Sequence, residues 1–343
     1  SGKVELGSYA EKSSGLRIKD EGSITLKNGG EVLVGGKNDY GAVVNGKDYN
    51  YYRKTVANAY AESGTKYSDT GKINLDSGSK ITVTGEESIG YALLAGKGVN
   101  AGTITVTGHT NNNTTGAFHG SLGFYGEKGT FTNIGEISSS GNIAHAVALV
   151  GDATDGTIFK NNGKINVVGK GNIGVYADGK YTFEHSGSGA KISVGSDSLG
   201  IYAKNNSVDA TGTNADYLRN DIANTKATNN GEITMTGKNA IGMIIEGGIA
   251  TNDTKGKITI SGQEGVAMYG TAITGAGMAG HTPGKIHSEL NNKGTIDLAD
   301  TTTSTPIIGM FTNDADTDIY TSGTINVGKK SYGIYGASNK VEM

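Results

Sequence analysis

A segment of the form Gly-x-Ile-x-hydrophobic-x-Gly recurs along this chain, first as Gly102-Thr103-Ile104-Thr105-Val106-Thr107-Gly108 and again at 163–169, 231–237 and 256–262. Strict alternation of apolar and polar residues marks a β-strand with one buried face. A second alternating segment goes with it: Ile89-Gly90-Tyr91-Ala92, Ile173-Gly174-Val175-Tyr176-Ala177, Leu199-Gly200-Ile201-Tyr202-Ala203 and Tyr332-Gly333-Ile334-Tyr335-Gly336. A third apolar pair precedes the next Gly-x-Ile, usually through an Asn-rich turn. Examples are Phe131 before Asn133, Ile158-Phe159 before Asn161-Asn162, Ile286 and Leu290 before Asn291-Asn292, and Ile319-Tyr320 before Ser322-Gly323. The repeat therefore holds three strands.

The key isoleucines are Ile24, Ile81, Ile104, Ile137, Ile165, Ile192, Ile233, Ile258, Ile296 and Ile325, usually about 23 to 40 residues apart, which gives about ten units. Near-constant strands with loops of variable length are what a solenoid requires, because only the strands must stack. The expected fold is all-β: a parallel β-helix (β-solenoid) of about ten three-stranded turns with loop insertions, a single unit over 1–343. At about 4.8 Å per turn the rod is about 50 Å long. A narrow core explains why 35% hydrophobic residues suffice, and 18% charge is too little to hold the chain open. The 57 glycines, without third-position spacing and with two prolines, exclude collagen. They mark corners and a column, Gly41, Gly90, Gly123, Gly174, Gly200, Gly242, Gly309 and Gly333, whose gaps Ala148 and Ala267 are expected to fill.

Period two places Tyr202 outward, with Tyr125, Tyr176, Tyr269, Phe311 and Tyr335 at equivalent positions and Val43, Ala92, Val150 and Ile244 interrupting them. A partial aromatic ladder on one face follows, serving either packing or contact with a glycan or protein. Two insertions break the array. Residues 46–70 hold Tyr49, Tyr51, Tyr52, Tyr60 and Tyr67, five of the 17 tyrosines, beside Lys47, Arg53 and Lys54, with a short helix expected over 53–62. Residues 205–230 hold Tyr217, Leu218, Arg219 and Ile222, also with a helical turn expected. Long loops on a rigid scaffold carry recognition, and Tyr and Arg are its common anchors. Tyr49, Tyr51, Tyr52, Arg53, Tyr60, Tyr67, Tyr217 and Arg219 are the candidate receptor-binding residues; a flap packing its tyrosines on the rod is the alternative. Polar stretches at 108–120 and 270–293 read as solvated connections.

Catalytic signatures are sparse. The histidines His109, His119, His145, His185, His281 and His287 lack zinc-site spacing, and there is no cysteine. Asp314, Asp316 and Asp318 alternate like the start of a calcium loop but without its Gly and distal Glu, so a solvated acidic turn is expected. No nucleophile elbow or phosphate loop is present. Outward strand positions carry Thr, Asn, Ser and Lys with isolated acids such as Asp297, which disfavours a glycosidase or lyase needing two close carboxylates. The Thr pairs Thr82/Thr84, Thr105/Thr107 and Thr234/Thr236 suggest an ice-ordering array, but Asn166, Ser193, Asp297 and Asn326 break it. A net charge of -3 disfavours nucleic acid and anionic lipid. No metal, no cofactor, no nucleic acid and no direct membrane contact are expected, and the absent leader and initiator methionine at Ser1-Gly2-Lys3 read as a piece of something longer.

The alternation of Gly-x-Ile-x-Val-x-Gly with Ser-x-Gly-Ile-Tyr-Ala at 163–177, 189–203 and 323–336, joined by Asn-Asn-Gly turns, resembles the passenger repeats of fusobacterial autotransporter adhesins over nearly the whole chain. The resemblance implies a secreted β-helix tethered to the outer membrane through a translocator outside this chain, mediating attachment to host cells or other bacteria. It further implies, as family-type receptors, carcinoembryonic-antigen-related adhesion molecules and galactose-type sugars, without transferring either residue by residue. The expected function is a non-enzymatic surface adhesin that presents its loops, 46–70 first, to a host-cell protein or glycan. A β-helical polysaccharide-degrading enzyme, or a structural rod carrying an adhesive tip elsewhere, are the alternatives.

Overall fold

The computed structural model describes residues 2–19, 21–45, 70–108, 120–151, 156–205, 222, 225–274, 285–338 and 340–343. The three segments of each repeat are three strands. In one turn, Lys164–Val167 is followed by Ile173–Asp178, and the first half of Tyr181–Val194 closes the turn while its second half opens the next. Strands of like kind pair in parallel and in register, so that Ile165 lies beside Ile192, Ile192 beside Ile233 and Ile233 beside Ile258. The result is a parallel β-helix with three faces: the Gly-x-Ile face, the Ile-Gly-Tyr face and an asparagine face. The Ile-Gly-Tyr face has 11 strands, and the other two form one 20-stranded sheet because Tyr181–Val194 and Lys226–Met235 run unbroken round the corner between them. Among the described residues there is no α-helix.

The turn count is eleven, one more than the isoleucines suggest. Val4 and Val32 head the isoleucine column, with Val32 beside Ile81, whereas Ile24 sits on the asparagine face beside Ile73. Valine fills the same β-branched, inward position as isoleucine, so the opening turns lack the expected residue without lacking the fold. A second register correction falls at His145–Val150. There Ala146 takes the glycine column next to Gly123, and Ala148 stands beside Tyr125 and Tyr176 in the outward aromatic column assigned to Val150. Within the rod the glycine column is sterically enforced, as at Gly90, where a Cβ would stand 2.7 Å from Ile104 Cγ2 and 2.8 Å from the carbonyl of Gly123 in the next turn.

The core is one continuous column. Ile81, Ile104, Ile137, Ile165, Ile192, Ile233, Ile258 and Ile296 are all buried, and Val4 and Ile325 at the two ends are partly buried. Each such side chain contributes about 1.5–3 kcal/mol. Turns three to six add aromatics: Phe131 packs on Phe124 at 4.2 Å between centroids and stacks on Phe159 at 5.6 Å, which stacks on Phe183 at 6.1 Å. Tyr91 joins this cluster because Gly98 leaves room, since a Cβ there would lie 2.2 Å from the phenol oxygen, and the hydroxyl donates to the Ile73 carbonyl at 2.9 Å.

Two polar ladders run inside the rod. On the asparagine face, Asn100 Nδ2 donates to Asn133 Oδ1 at 2.8 Å, and Asn133 Nδ2 to Asn161 Oδ1 at 2.7 Å. Asn229 likewise donates to Asn252 at 2.8 Å, and Asn252 to Asn292 at 2.9 Å. The amides also donate to the carbonyl that opens a Gly-x-Ile strand two turns on from their own, as from Asn133 to Lys164 and from Asn252 to Thr295, both at 3.2 Å. The asparagines expected as turn residues are therefore core residues that satisfy a buried corner. At the opposite corner, Ser88 Oγ accepts from the Asp39 amide at 3.0 Å and donates to the Gly36 carbonyl at 2.9 Å. Asn172 Oδ1 accepts from the Ala144 amide at 2.9 Å. The residue before each of these polar or small side chains is often left-handed: Asn38, Glu87, Ile143, Asp197, Asn239, Glu264 and Lys330 all have positive φ.

The helix expected over 53–62 lies outside the described residues; of the 205–230 insertion only 205, 222 and 225–230 are described, with Ile222 in a 3₁₀ turn. The insertion expected to reach residue 230 ends sooner, because Lys226–Met235 is strand. The stretch 270–293 is likewise not a simple connection: Ile273–Thr274 pairs antiparallel with Lys285–Ile286, and Ser288–Asn292 belongs to the asparagine face.

Candidate functional site

Connections between described strands are unevenly distributed. Those that replace a short corner after Tyr40–Asn45, His145–Val150, Leu199–Lys204 and Val266–Thr271 all leave the edge where the Ile-Gly-Tyr face passes to the asparagine face. Solenoid stacking thus brings the bases of the two long insertions to one edge, five turns or about 24 Å apart along the rod. The residues Tyr49, Tyr51, Tyr52, Arg53, Tyr60, Tyr67, Tyr217 and Arg219 themselves lie outside the described residues.

The outer surface of the Ile-Gly-Tyr face beside this edge is apolar, as alternation requires for a column pointing away from the core. Over turns two to five it is a buried second cluster, comprising Tyr40, Val43, Ile89, Ala92, Leu94, Leu122, Tyr125 and Ala148. Further along, the expected ladder is present and partly exposed. Tyr176 and Tyr202 meet edge to face at 5.3 Å, Tyr269 stacks on Phe311 at 5.4 Å, and Phe311 on Tyr335 at 6.0 Å. Tyr332 and Tyr335 are 50% and 53% exposed. Stacked rings in such a ladder turn their edges and hydroxyls outward and their faces toward each other.

Polar groups at the rim of this face repeat a Tyr-x-acid spacing. Tyr125 donates to Glu127 Oε1 at 2.7 Å, and Tyr176 to Asp178 Oδ2 at 3.0 Å. Asp178, Lys204 and Glu246 stand in register on successive turns, and Lys204 Nζ lies 3.9 Å from Glu246. Burial, then the neighbouring Asp178 charge, pushes the Tyr176 phenol well above its ordinary value. Burial and the Glu246 charge do the same for Tyr202. These tyrosines remain protonated donors, each beside an acceptor, and alternating charge lies between them. Tyr125, Glu127, Tyr176 and Asp178 are buried, so these bonds tie the rim of the face together. Glu127, Asp178, Lys204 and Glu246 were missed in the sequence; the signal for the first three is a charged residue two positions after an outward tyrosine, as in Tyr125-Gly126-Glu127 and Tyr202-Ala203-Lys204, whereas Glu246 follows Ile244 and carries no such signal.

A second group corrects two expectations. Asp316 and Asp318 are buried, so Asp314–Asp318 is not a solvated turn. Asp314 Oδ1 accepts from the Asp316 amide at 2.9 Å, and Tyr320 donates to Asp318 Oδ2 at 3.3 Å, which ties the segment down. Nor are the outward acids all isolated: Glu289 is the register partner of Asp318 on the next turn, with His287 Nε2 3.5 Å from Glu289. Among the described residues, no group of three or more His, Asp or Glu is placed to hold a metal ion.

A family model described as the BigA third pectate lyase-like domain matches residues 112–340, a description in keeping with the parallel β-helix. The match takes in the last eight strands of the Ile-Gly-Tyr face and the 205–230 insertion, and leaves the first three turns with the 46–70 insertion outside it. No curated protein and no solved structure matches the chain.

Proposed function

Since the chain belongs to the family of the BigA third pectate lyase-like domain, we propose that it is a non-enzymatic, β-helical module of a bacterial surface adhesin, the passenger of an autotransporter, that binds a host-cell protein or glycan. The observation that carries this reading is the common edge from which both long insertions leave, next to an outward face of aromatic rings and paired tyrosine hydroxyls. Loops on a rigid rod give a large contact area without deforming the scaffold, and a Tyr-rich contact needs no net charge. The repeats' likeness to fusobacterial passengers supports the same reading and suggests carcinoembryonic-antigen-related ectodomains and galactose-type sugars as the first partners to try.

The test is binding of the purified chain, and of a variant lacking residues 47–68, to immobilised host ectodomains and glycans. Binding that disappears with the insertion while the β-sheet circular dichroism is retained is the expected result. Full binding by the deleted variant overturns the assignment of that loop, and no binding by either chain favours a structural rod. The enzymatic alternative is tested separately, on Glu289 and its register partner Asp318. Release of unsaturated or reducing sugar from polyuronides by the chain, lost in E289Q and D318N, would replace the adhesin reading.

A further inference from the structure

The asparagine ladder contains one titratable member. In the sixth turn the position beside Asn161 and Asn229 is His185, buried and stacked on the Phe183 ring at 6.2 Å. Asn161 Nδ2 lies 3.0 Å from His185 Nδ1, and His185 Nε2 lies 3.3 Å from the Glu232 carbonyl. An amide N–H can only donate and a carbonyl oxygen can only accept. The geometry therefore fixes one state of the ring: neutral, Nδ1 bare and accepting, Nε2 protonated and donating. An imidazolium has a proton on each nitrogen and would point one at the Asn161 amide hydrogens.

Among the described residues no carboxylate faces this ring from the inward side, and the backbone groups of Glu232 and Asn161 that favour its charged form are outweighed by burial. On its own strand the flanking charged side chains are Glu184 and Lys191; on the neighbours they are Lys160, Lys164, Lys226 and Glu232. All sit on the outward side of their strands, with Lys160 paired to Glu184 at 3.1 Å and Lys191 to Glu232 at 2.9 Å. Asn161 and Asn229, its inward neighbours, do not titrate. The same place is irregular in backbone: pairing of Tyr181–Val194 with Lys226–Met235 shifts register between Ser186 and Lys191. Downstream the ladder restarts at Asn229 without a side-chain bond from His185.

We propose that His185 is an acid-sensitive break in the buried ladder, so that mild acid opens the β-helix locally between its sixth and seventh turns while the turns on either side stay paired. Burial holds the imidazole down to about 4, below the ordinary value of about 6.5 that it regains when the strand opens. A group whose folded pKa is depressed stabilises the closed state at neutral pH and loses that contribution as pH falls from about 6.5 toward 4. The closed state thus holds full protection near pH 7.5 and has lost most of this contribution by pH 5.

Hydrogen exchange of the backbone amides in Tyr181–Val194 and Lys226–Met235, corrected for the intrinsic rate, tests this on the whole chain. Between pH 7.5 and 5.0 the protection factors there should fall about 30-fold, while those of Thr103–Val106 and Lys257–Ile260 hold. In H185N, which restores an amide to the ladder, the fall should vanish. Unchanged protection in the unsubstituted chain, or the same fall in H185N, overturns the proposal. Because H185N could fold poorly, the imidazole is also followed by NMR in the unsubstituted protein. An Nε2-protonated neutral ring persisting to pH 5.5 is expected, and a ring that titrates near 6.5 in the folded state refutes it.

Discussion

Replacing Asn133 with Ala tests whether the ladder is a principal support of the rod. The side chain is wholly buried, accepts from Asn100 at 2.8 Å, and donates to Asn161 Oδ1 at 2.7 Å and the Lys164 carbonyl at 3.2 Å. Alanine removes three hydrogen bonds and leaves two buried acceptors without that donor. At about 1 kcal/mol net per bond the three lost bonds alone come to about 3 kcal/mol, and the stranded acceptors carry the loss above that. That is a large share of the roughly 5–15 kcal/mol that separates a folded domain from its unfolded chain. Urea unfolding followed by far-ultraviolet circular dichroism reads the total, and hydrogen exchange around Gly129–Asn133 reads the local contribution, which guards against a repeat array that does not unfold in one step. T132A, on the outward side of the same strand, should change stability by less than about 0.5 kcal/mol. N161A removes the acceptor that N133A strands, so the double mutant should cost about 1–2 kcal/mol less than the sum of the singles. Additive effects, or a loss below about 1 kcal/mol in N133A, would show that water or a neighbouring carbonyl replaces the amide and that the ladder reasoning is wrong.

Two further substitutions probe the core and the corners. G98A places a methyl group 2.2 Å from the Tyr91 hydroxyl and 2.8 Å from the Phe131 ring, and should lower stability by about 1–3 kcal/mol through overpacking, with disturbed Tyr91 fluorescence; an unchanged midpoint would mean that the ring can move aside. I143N relieves a β-branched residue held at φ 54°, and should raise stability by up to about 1 kcal/mol, seen as a melting temperature higher by a few degrees. A lower one would mean that the half-buried Ile side chain outweighs its backbone strain.

Alternation and the spacing of glycine made most of the fold legible. Ile165, Val167, Val175 and Ala177 point inward as expected, because only the strand core is held to a strict rule while loop length is free. Ile173, expected inward as well, instead stands in register with Ile89 and Leu122 on the outer surface. Register failed where the marker residue was replaced by an equivalent: Val32 for isoleucine, and Ala146 for glycine in a run of alternating Ala and Val that fits two registers equally well. The Asn ladder was visible as recurrent Asn-x-Gly before Gly-x-Ile, but a turn asparagine and a buried one look alike without the neighbouring turn. The site was less legible. The aromatic column followed from periodicity, whereas the pairing of Asp178, Lys204 and Glu246 depends on which turns lie next to each other, and insertions such as 205–225 put those residues far apart in sequence.

The stacking of turns also bears on how this rod would behave under load. A turn of roughly two dozen residues or more occupies about 4.8 Å of rod but yields on the order of 90 Å of extended chain once released. If the rod is pulled along its axis, its neighbouring turns are held by parallel strand pairs and single side-chain amide bonds, and they would separate in succession from an end or from the discontinuity at His185. Each separation would lengthen the tether nearly twentyfold over the segment lost and absorb work as it did so. A 50 Å spacer would become a shock-absorbing line many times its resting length.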